Sequence, residues 1–333
     1  MVSKNRITSL LVNPNRIIVG IFNRLSPFIH DDETAVRIAY LLSMHKRLHL
    51  NHPHTFNEKL QWLKLHDKHP EYTQMVDKIE AKKIAARIIG DEHIIPTLGV
   101  WDKFEDIDFG KLPNQFVLKC NHDSGGIVIC KDKSKMDITE ARKKINRCLR
   151  RNPFWATREY PYKDVKPRIL AEKYMVDPNS TTDGLTDYKF FCFNGVPKFM
   201  FVATNRPTDT RFDFFDISFH HLPFKQGHPL SSKPIRKPER YAEMVEIAKK
   251  LSKGYRHVRI DLYNMSGKIY FGEYTFFHYS GMVPFKPYVW DEKLGGYLNT
   301  PPRKKVNRLL CNSLQGFCIR LPDKSFHNLY KSA

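Results

Sequence analysis

Three charged residues on two predicted apolar strands could act together. Arg259, Asp261 and Glu273 fall within residues 258–275, whose sequence is VRIDLYNMSGKIYFGEYT. The alternation of apolar and polar residues predicts two strands here, with Arg259 and Asp261 on the same face. Charged residues in such a setting need a partner or a ligand, so this hairpin is the first candidate for a functional site.

The turn between the two strands decides whether both acids share a face. A three-residue turn at 265–267, with Gly267 in the left-handed conformation, would place Arg259 opposite Glu273. In that register Asp261 and Glu273 point the same way. A turn of even length would put the two carboxylates on opposite faces, so the register is a testable prediction.

Two carboxylates on one sheet face, beside a cation, have two interpretations. Carboxylate oxygens suit magnesium that bridges the phosphates of a nucleotide, and they suit zinc less well because zinc prefers nitrogen and sulfur ligands. The alternative is a cross-strand salt bridge, which is common on half-exposed sheets. The hairpin alone does not decide between them.

The overall charge points to an anionic partner. The 333 residues include 55 Lys and Arg against 35 Asp and Glu, which gives a net charge of +20. This excess predicts a polyanionic partner such as a nucleotide, an acidic glycan or an anionic membrane surface. The sequence lacks an RNA-recognition signature, a zinc-finger spacing and a helix-turn-helix pattern, so no specific nucleic-acid partner is expected.

The N-terminal segment and the cysteines bear on where the protein acts. The apolar run at 17–22 is far too short to cross a membrane, so we expect no transmembrane segment. Residues 1–29 mix Lys and Arg with apolar residues, which fits either peripheral association with the inner face of a membrane or an ordinary docking helix. The six cysteines form no CxxC pair, and as reduced thiols they indicate a cytoplasmic protein.

Periodicity divides the chain into a helical first part and a mixed second part. Apolar spacing predicts helices from residue 32 to about 65, with a capping box at Thr55 and Glu58, and again at 77–89. Strands and helices then follow, which predicts the α+β class. The Pro- and His-rich segment 207–238 is predicted as a loop. We expect strands at 116–120, 127–130, 168–176, 187–193 and 196–204, and helices at 137–150 and 239–252.

A glycine-containing loop follows a lysine at the end of one predicted strand. Lys119 precedes the loop 121–126. In this loop Ser124, Gly125 and Gly126 would let backbone N–H groups approach an anion closely. The GxxxxGK[ST] order of a Walker motif is absent, and a strand rather than a helix follows the glycines. By itself the loop is weak evidence for a binding site, and an ordinary turn is the default interpretation.

Seven sequence blocks together resemble one family. They are TFNEKLQWLKLHD, VDKIEAKKIAARIIGDEHIIPTLGVW, FVLKCNHDSGG, ILAEKYM, DYKFFCFNG, RIDLYNMSGKIYFGEYTF and PFKPYVWDEKLGGYL. In this order, over nearly the full length, they resemble the TupA-like ATP-grasp family found with bacterial polysaccharide synthesis. Several blocks together are far more specific than any one.

The resemblance implies the ATP-grasp fold, in which two α+β lobes grip ATP. It implies a helical N-terminal region at 1–75 and an ATP-grasp domain at 76–333. Within that domain we expect a linker helix at 77–89, a small lobe at about 112–176 and a large lobe at about 177–320.

The resemblance also implies residues that bind the phosphates. Lys78 and Lys119 are similar to the two lysines that reach the nucleotide phosphates. The loop 121–126 would then be the flexible lid over them. Lys189 would add a contact to a phosphate or to the acceptor.

The adenosine part of the nucleotide would bind at the hinge between the lobes. In the family, backbone groups there hydrogen-bond adenine and a side chain reads its amino group. By resemblance, Asp177 would reach the ribose. The hinge would consist of Glu172, Lys173, Tyr174 and Met175.

The catalytic and metal-binding roles complete the resemblance. Arg259 is similar to the arginine that stabilises the transition state, with Lys119 as the second catalytic cation. Asp261 and Glu273 are similar to the magnesium ligands. Many ATP-grasp enzymes have an asparagine two residues after the glutamate, where this chain has Thr275, whose hydroxyl is a poorer ligand. The expected cofactors are ATP and Mg²⁺.

These roles imply an ATP-dependent ligase that joins a carboxylate to an amine through an acylphosphate. The expected acceptor is an acidic sugar, for example a hexuronic acid, or an amino acid, in cell-surface polysaccharide biosynthesis. The alternative is a glycosyltransferase that uses a nucleotide sugar, because Asp106 and Asp108 form a DxD sequence.

Overall fold

A computed structural model describes residues 14–177, 184–205 and 209–301. Residues 1–13 of the predicted N-terminal region, and residues 302–320 of the predicted large lobe, lie outside this part of the chain. Helices occupy the first third of the described residues, and two large antiparallel sheets and a small two-stranded one follow. The α+β class predicted from the sequence is therefore confirmed.

Five α-helices occupy the N-terminal third of the described residues, and three of them begin at a residue whose side chain caps the helix. Asp31 caps the second of them, because its carboxylate accepts from the backbone N–H of Thr34. The predicted capping box is present, since Thr55 and Glu58 exchange side-chain and backbone hydrogen bonds at the start of the third. The helices are α1 (Pro14–Leu25), α2 (Asp32–Met44), α3 (Phe56–His66), α4 (Glu71–Val76) and α5 (Lys78–Ile89).

A four-stranded antiparallel sheet comes next. Its strands are β1 (Thr97–Trp101), β2 (Phe116–Cys120), β3 (Ile127–Cys130) and β4 (Ile169–Lys173), in the order β1-β4-β2-β3. Helix α6 (Ile138–Leu149) buries Ile145 against Phe116 and Leu118 of this sheet, and the short helix α7 (Phe154–Thr157) follows. The predicted strands at 116–120 and 127–130 and the helix at 137–150 are confirmed. Strand β1 was not predicted.

A five-stranded antiparallel sheet carries the charged hairpin. Its order is β10-β9-β5-β6-β7, so β9 is an interior strand. The loop prediction for 207–238 is wrong, because FDFF at 212–215 pairs with β6 and needs that neighbour to become a strand. The remaining elements are β5 (Asp187–Phe193), β6 (Val196–Thr204), β7 (Arg211–Asp216), β8 (Lys225–Gln226), α8 (Tyr241–Ser252), β9 (His257–Met265), β10 (Lys268–Thr275), β11 (Phe285–Lys286) and α9 (Val289–Gly295).

The N-terminal helices and the five-stranded sheet share one hydrophobic core. Phe56, at the start of α3, packs edge-on against Phe191 and Phe193 of β5 and against Phe285. Burial of aromatic side chains contributes most of the driving force in such a core. Helix α3 is thereby fixed against the sheet that carries the charged hairpin.

The predicted register of that hairpin is wrong, but Asp261 and Glu273 face the same side of the sheet as predicted. The turn has two residues, Ser266 and Gly267, both with positive φ of 51° and 83°. A two-residue turn of this kind matches the twist of the strands. A bulge at Gly272 then shifts the pairing by one residue, so that Glu273 lies opposite Asp261. The even-length turn and the bulge compensate, and both acids face the same side.

Candidate active site

Arg259 on β9 is the centre of one buried charge cluster. Its Nε donates to Asp261 Oδ1 at 2.6 Å and its Nη2 to Asp261 Oδ2 at 2.8 Å, a two-point contact. Nη2 also donates to Glu273 Oε1 at 3.3 Å. The two acids and the arginine predicted from the sequence are therefore brought together by adjacent strands.

Lys189 on the neighbouring strand β5 completes this cluster. Its Nζ contacts Asp261 Oδ2 and lies 3.4 Å from Asp187 Oδ1. Lys189 is buried, so a phosphate or an acceptor would have to enter the cluster to make the predicted contact with it. We call Arg259, Lys189, Asp187, Asp261 and Glu273 the arginine cluster.

The two predicted magnesium ligands differ in exposure and in pKa. The Asp261 side chain is 2% exposed, whereas that of Glu273 is 39% exposed. Burial raises the pKa of Asp261, against the opposing effect of Arg259 and Lys189. Burial also acts to raise the pKa of Glu273, but Lys78, Lys189 and Arg259 outweigh it and lower that pKa to about 2. Glu273 is therefore ionised at neutral pH and the more accessible of the two.

Thr275 lies beside these groups as a bridge. Its hydroxyl oxygen accepts from Arg259 Nη2 at 3.0 Å, and its proton is donated to Glu273 Oε1 at 3.1 Å. The hydroxyl thus orients the carboxylate and the guanidinium. Its role as a direct metal ligand stays a prediction.

A second buried cluster lies on the four-stranded sheet. Glu172 on β4 lies between Lys82 Nζ of α5, at 2.6 Å, and Lys119 Nζ of β2, at 2.5 Å. Burial opposes ionisation of Glu172, but the two lysines outweigh it and lower its pKa. We call Lys82, Lys119 and Glu172 the lysine cluster. Lys82 was missed in the sequence, although it lies one helical turn after Lys78.

The glycine-containing loop is anchored at its start and open at its tip. Asn121 is buried, and its side chain donates to Asp77 Oδ2 at 2.8 Å and to the Lys166 carbonyl at 2.9 Å. Ser124 and Gly125 are exposed. Only this tip of the predicted lid is therefore open to solvent.

Two further contacts join this loop to its surroundings. Lys78 Nζ donates to the Asp123 carbonyl at 3.0 Å. Gly126 is buried, and a Cβ there would lie 2.5 Å from Cys148 Sγ and 2.6 Å from Cys120 Sγ. Position 126 therefore requires glycine for close packing. Lys78 binds the loop through Asp123, and its charge also lowers the pKa of Glu273.

The predicted hinge begins within β4, at Glu172 and Lys173, and continues beyond this strand to residues that contact the charged hairpin. The Lys173 N–H donates to the Pro96 carbonyl at 3.0 Å. Met175 packs in a small apolar cluster with Ile95 and Tyr270. Asp177 Oδ1 accepts from the Ser266 hydroxyl at 3.3 Å. Lys173, Tyr174, Met175 and Asp177 thus lie at the junction of the two sheets, whereas the Glu172 side chain belongs to the lysine cluster.

Tyr263 on β9 lies near carboxylates of both clusters. Burial raises its pKa well above the usual value, and the carboxylates of Asp187, Glu273 and Glu172 act in the same direction. Glu172 belongs to the lysine cluster and the other two to the arginine cluster. The tyrosine therefore lies within electrostatic range of both, a relation that the sequence did not reveal.

The donor set of the arginine cluster fits magnesium. Within residues 14–177, 184–205 and 209–301, no group of three or more His, Cys, Asp or Glu side chains could hold a metal ion. Magnesium is commonly bound by one or two carboxylates together with phosphate oxygens and water. Asp261 and Glu273 lie on adjacent strands and would offer two such oxygen ligands, so a nucleotide and water would have to supply the others.

The structure also bears on two other sequence features. Asp108 Oδ1 accepts from the Gly110 N–H at 2.9 Å, which is the behaviour of a turn residue in the DxD segment. Among the helices that the structure describes, none is both long enough and apolar enough to traverse a lipid bilayer.

Solved structures with related architecture include three ATP-grasp proteins. D-alanine–D-alanine ligase from Bacillus anthracis, complexed with ATP, is 16% identical over 67% of this chain and 67% of that chain, with a TM-score of 0.35. The ligase PsnB, complexed with minimal precursor, Mg and ADP, is 12% identical over 66% of this chain and 57% of that chain, with a TM-score of 0.34. A RimK domain ATP-grasp protein from Sphaerobacter thermophilus is 11% identical over 61% and 59%, with a TM-score of 0.33. These scores are too low to carry an argument.

The sequence-family comparison is decisive. A search of curated proteins gave no significant match. The family model for TupA-like ATPgrasp matches residues 58–299, which is well over half of the chain and includes both sheets and both charge clusters. This chain therefore belongs to the TupA-like ATP-grasp family of ATP-dependent ligases and has the ATP-grasp fold.

Proposed function

We propose that the protein binds Mg-ATP between its two sheets and uses it to join a carboxylate to an amine. The observation that supports this proposal is that Tyr263 lies within electrostatic range of Glu172 in the lysine cluster and of Asp187 and Glu273 in the arginine cluster. The lysine cluster has an excess of positive charge and the arginine cluster an excess of negative charge. A nucleotide with a divalent cation complements this arrangement.

The phosphates would be held by lysines from two elements. Lys119 and Lys82 share only one carboxylate, Glu172, so the pair retains a net positive charge. Lys78 lies beneath the loop tip formed by Ser124 and Gly125. Cations placed where phosphoryl oxygens gain charge stabilise the transition state of phosphoryl transfer.

The metal side of the cleft would be formed by the arginine cluster. Asp261 and Glu273 would hold magnesium, which neutralises phosphate charge when it is bound. Arg259 would stabilise the transferring phosphoryl group, and Thr275 would keep the Glu273 carboxylate oriented. None of these residues needs to form a covalent bond with substrate.

The hinge residues would bind the adenosine. Met175 lies in an apolar cluster with Ile95 and Tyr270 that could cover an adenine ring. Backbone groups near Lys173 and Tyr174 would hydrogen-bond the base, and Asp177 would reach the ribose. Bound in this way, the nucleotide would span the junction between the sheets.

In the proposed reaction, an oxygen of the acceptor carboxylate attacks the γ-phosphorus of ATP. The bond to the β,γ-bridging oxygen breaks, which releases ADP and leaves an acylphosphate. An amine then attacks the acyl carbon and releases phosphate, with loss of one proton. We propose an acidic sugar such as a hexuronic acid, or an amino acid, as the acceptor, in cell-surface polysaccharide biosynthesis. The +20 net charge supports an acidic acceptor.

A direct test measures binding first and products second. Mg-ATP should raise the unfolding temperature of the protein, and ADP and phosphate should appear only with an acceptor from a panel of hexuronic acids and amino acids. Lys119→Met should weaken ATP binding, whereas Lys143→Met, an exposed lysine on α6, should not. Indifference to Mg-ATP, or release of a nucleoside diphosphate from a sugar donor, would refute the proposal.

We also propose that the protein is cytoplasmic and rests on the inner membrane face through α1. Supporting this, Ile17, Ile18 and Ile21 are exposed on α1, and Phe28 just beyond it is 76% exposed. Arg24 borders this apolar face and would contact anionic lipid headgroups. Flotation with phosphatidylglycerol vesicles should recover the wild type but not Ile21→Glu. Equal recovery of both, or of neither, contradicts the location.

A further inference from the structure

Three consecutive residues after β10 adopt a left-handed conformation. Tyr279, Ser280 and Gly281 have φ angles of 48°, 56° and 62°. Two of the three carry side chains, for which this backbone conformation is strained. Strained backbone of this kind persists only where the surroundings hold it, and it concentrates at functional sites.

A buried polar face of α3 holds this turn. Gln61 Nε2 donates to the Ser280 carbonyl at 2.9 Å and to the Gly281 carbonyl at 3.0 Å. Lys64 Nζ donates to the Ser280 carbonyl at 2.8 Å and to its hydroxyl at 2.7 Å. Asn57 Nδ2 donates to the Val283 carbonyl at 3.1 Å. These positions share one helix face, and the three donor residues are buried.

The residue before the turn contacts Arg259. His278 Nδ1 accepts from Arg259 Nη1 at 2.6 Å. On the other side of the ring, His278 Nε2 lies 3.0 Å from Gln226 Oε1. Gln226 Nε2 donates to the Val283 carbonyl at 2.9 Å, which assigns its Oε1 as the acceptor for His278.

These contacts define the protonation state of the His278 ring and the orientation of the Arg259 guanidinium. Because Gln226 Oε1 accepts, His278 must carry its proton on Nε2 and offer a lone pair on Nδ1. Burial and the charge of Arg259 hold the pKa of His278 well below its usual range, which agrees with a neutral ring. The guanidinium is planar, so one bond from Nη1 to the ring fixes the direction of the other Nη1–H.

We propose that His278 is a positioning residue for Arg259, and that α3 holds His278 through the left-handed turn at Tyr279, Ser280 and Gly281. The N-terminal helical region would then be part of the catalytic machinery rather than an attachment to it. This inference rests on the proposed function, because Arg259 has its role only if phosphoryl transfer takes place beside it.

The test replaces the ring in two ways. Asn at position 278 places an amide oxygen about where Nδ1 lies, whereas Leu removes the acceptor. We expect His278→Leu to lower kcat by about 10–100-fold with little change in the KM for ATP, and His278→Asn to recover most of that loss. Equal activity of the two variants would overturn the inference.

A matched control separates positioning from general destabilisation. His257 is buried two residues before Arg259, and its Nδ1 bonds the Cys192 carbonyl at 3.0 Å instead of the guanidinium. His257→Leu should lower the unfolding temperature as much as His278→Leu does, yet change kcat by less than about threefold. A loss of kcat that simply follows the loss of stability in both variants would overturn the inference.

A spectroscopic measurement makes the result independent of ligase activity. In protein labelled with ¹⁵N-arginine, the Arg259 side-chain N–H signals, assigned with Arg259→Lys, should be sharp in the wild type, broadened in His278→Leu and restored in His278→Asn. Unchanged signals in His278→Leu would overturn the positioning role. If those signals behave as expected but no acceptor supports ATP consumption, the positioning role stands and the proposed function fails.

A milder variant covers the case in which His278→Leu does not fold. Gln61→Leu removes two hydrogen bonds to the turn from a residue more remote from Arg259. We expect it to broaden the Arg259 signals and to lower kcat by about 3–10-fold at an unchanged KM for ATP. Arg259 signals identical to those of the wild type would overturn the link to α3.

Discussion

The two buried charge clusters are built alike but have opposite excess charge. Each is centred on interior strands of an antiparallel sheet and contains a carboxylate that contacts two cations. Helix α5 adds Lys82 to the lysine cluster, and the edge strand β10 adds Glu273 to the arginine cluster. The lysine cluster has two cations and one carboxylate. The arginine cluster has two cations and three carboxylates.

The difference in net charge supports the proposal that the two clusters bind different ligands. A net positive group attracts phosphate, whereas spare carboxylate oxygens attract a divalent cation. Glu172 is enclosed by its partners, but Glu273 is partly exposed. The spare carboxylate is therefore the accessible one, which is the arrangement that a metal bound to a nucleotide requires.

The largest expected effect is on turnover, in the arginine cluster. Glu273→Gln should lower kcat by about 10²–10³-fold and should lower the free energy of unfolding by only about 1 kcal/mol, because the partly exposed carboxylate is screened by solvent. Asp261→Asn should lower kcat similarly but also cost about 3–5 kcal/mol, because it leaves Arg259 and Lys189 buried with less counter-charge. ADP release and urea unfolding measure these effects. Unchanged turnover in both variants would rule out the metal assignment.

The second prediction concerns the lysine cluster. Glu172→Gln leaves Lys82 and Lys119 without their carboxylate, so the free energy of unfolding should fall by about 3 kcal/mol. Mg-ATP should restore part of this loss, because phosphate would replace the missing charge. Glu140→Gln, which affects an exposed pair on α6, is the control and should change stability by less than about 0.5 kcal/mol. A loss that ATP does not reduce would place the phosphates elsewhere.

A third prediction compares two neighbouring glycines in the loop. Gly126→Ala should cost about 1–3 kcal/mol, because its Cβ would overlap the sulfurs of Cys120 and Cys148. At Gly125 the nearest atom lies 3.5 Å from such a Cβ, so Gly125→Ala should stay within about 0.5 kcal/mol. Chemical denaturation of both variants provides the measurement. Equal losses would mean that the loop tip is as tightly packed as its base.

The smallest expected effect is a pH dependence. The pKa of Glu273 is lowered from 4.5 to about 2, so its stabilising contribution is present above about pH 4.5 and disappears as pH falls toward 2. The difference in unfolding free energy between wild type and Glu273→Gln should therefore be constant from pH 5 to 8 and shrink below pH 4.5. Denaturation at a series of pH values tests this. A difference that changes between pH 6 and 8 would contradict the assigned pKa.

Much of the fold was predictable because its signals are local. The capping box at Thr55 and Glu58 and the positive-φ turn at Asn194 and Gly195 depend on residues close in sequence. Strand β7 was missed because its identity comes from pairing with β6 rather than from its own sequence. Local propensity is a weak guide wherever tertiary pairing decides.

The residues of the candidate site were accessible to sequence reasoning only in part. Alternation along one strand placed Arg259 and Asp261 on a common face, and family resemblance supplied Lys78 and Lys119. Lys82 and His278 were missed, because only folding brings them to Glu172 and Arg259. Glu172 lies far from Lys82 in the sequence, and Arg259 lies on β9, which does not contain His278.

The sequence by itself determined the family, the α+β class and the residue types able to bind a metal nucleotide, because these follow from composition, periodicity and motif order. The tertiary structure decided the hairpin register, the pairing of Glu172 with two lysines and the hold of α3 on the turn after β10. Those features depend on a compensating bulge and on contacts between distant segments, and neither is encoded in a short stretch of residues.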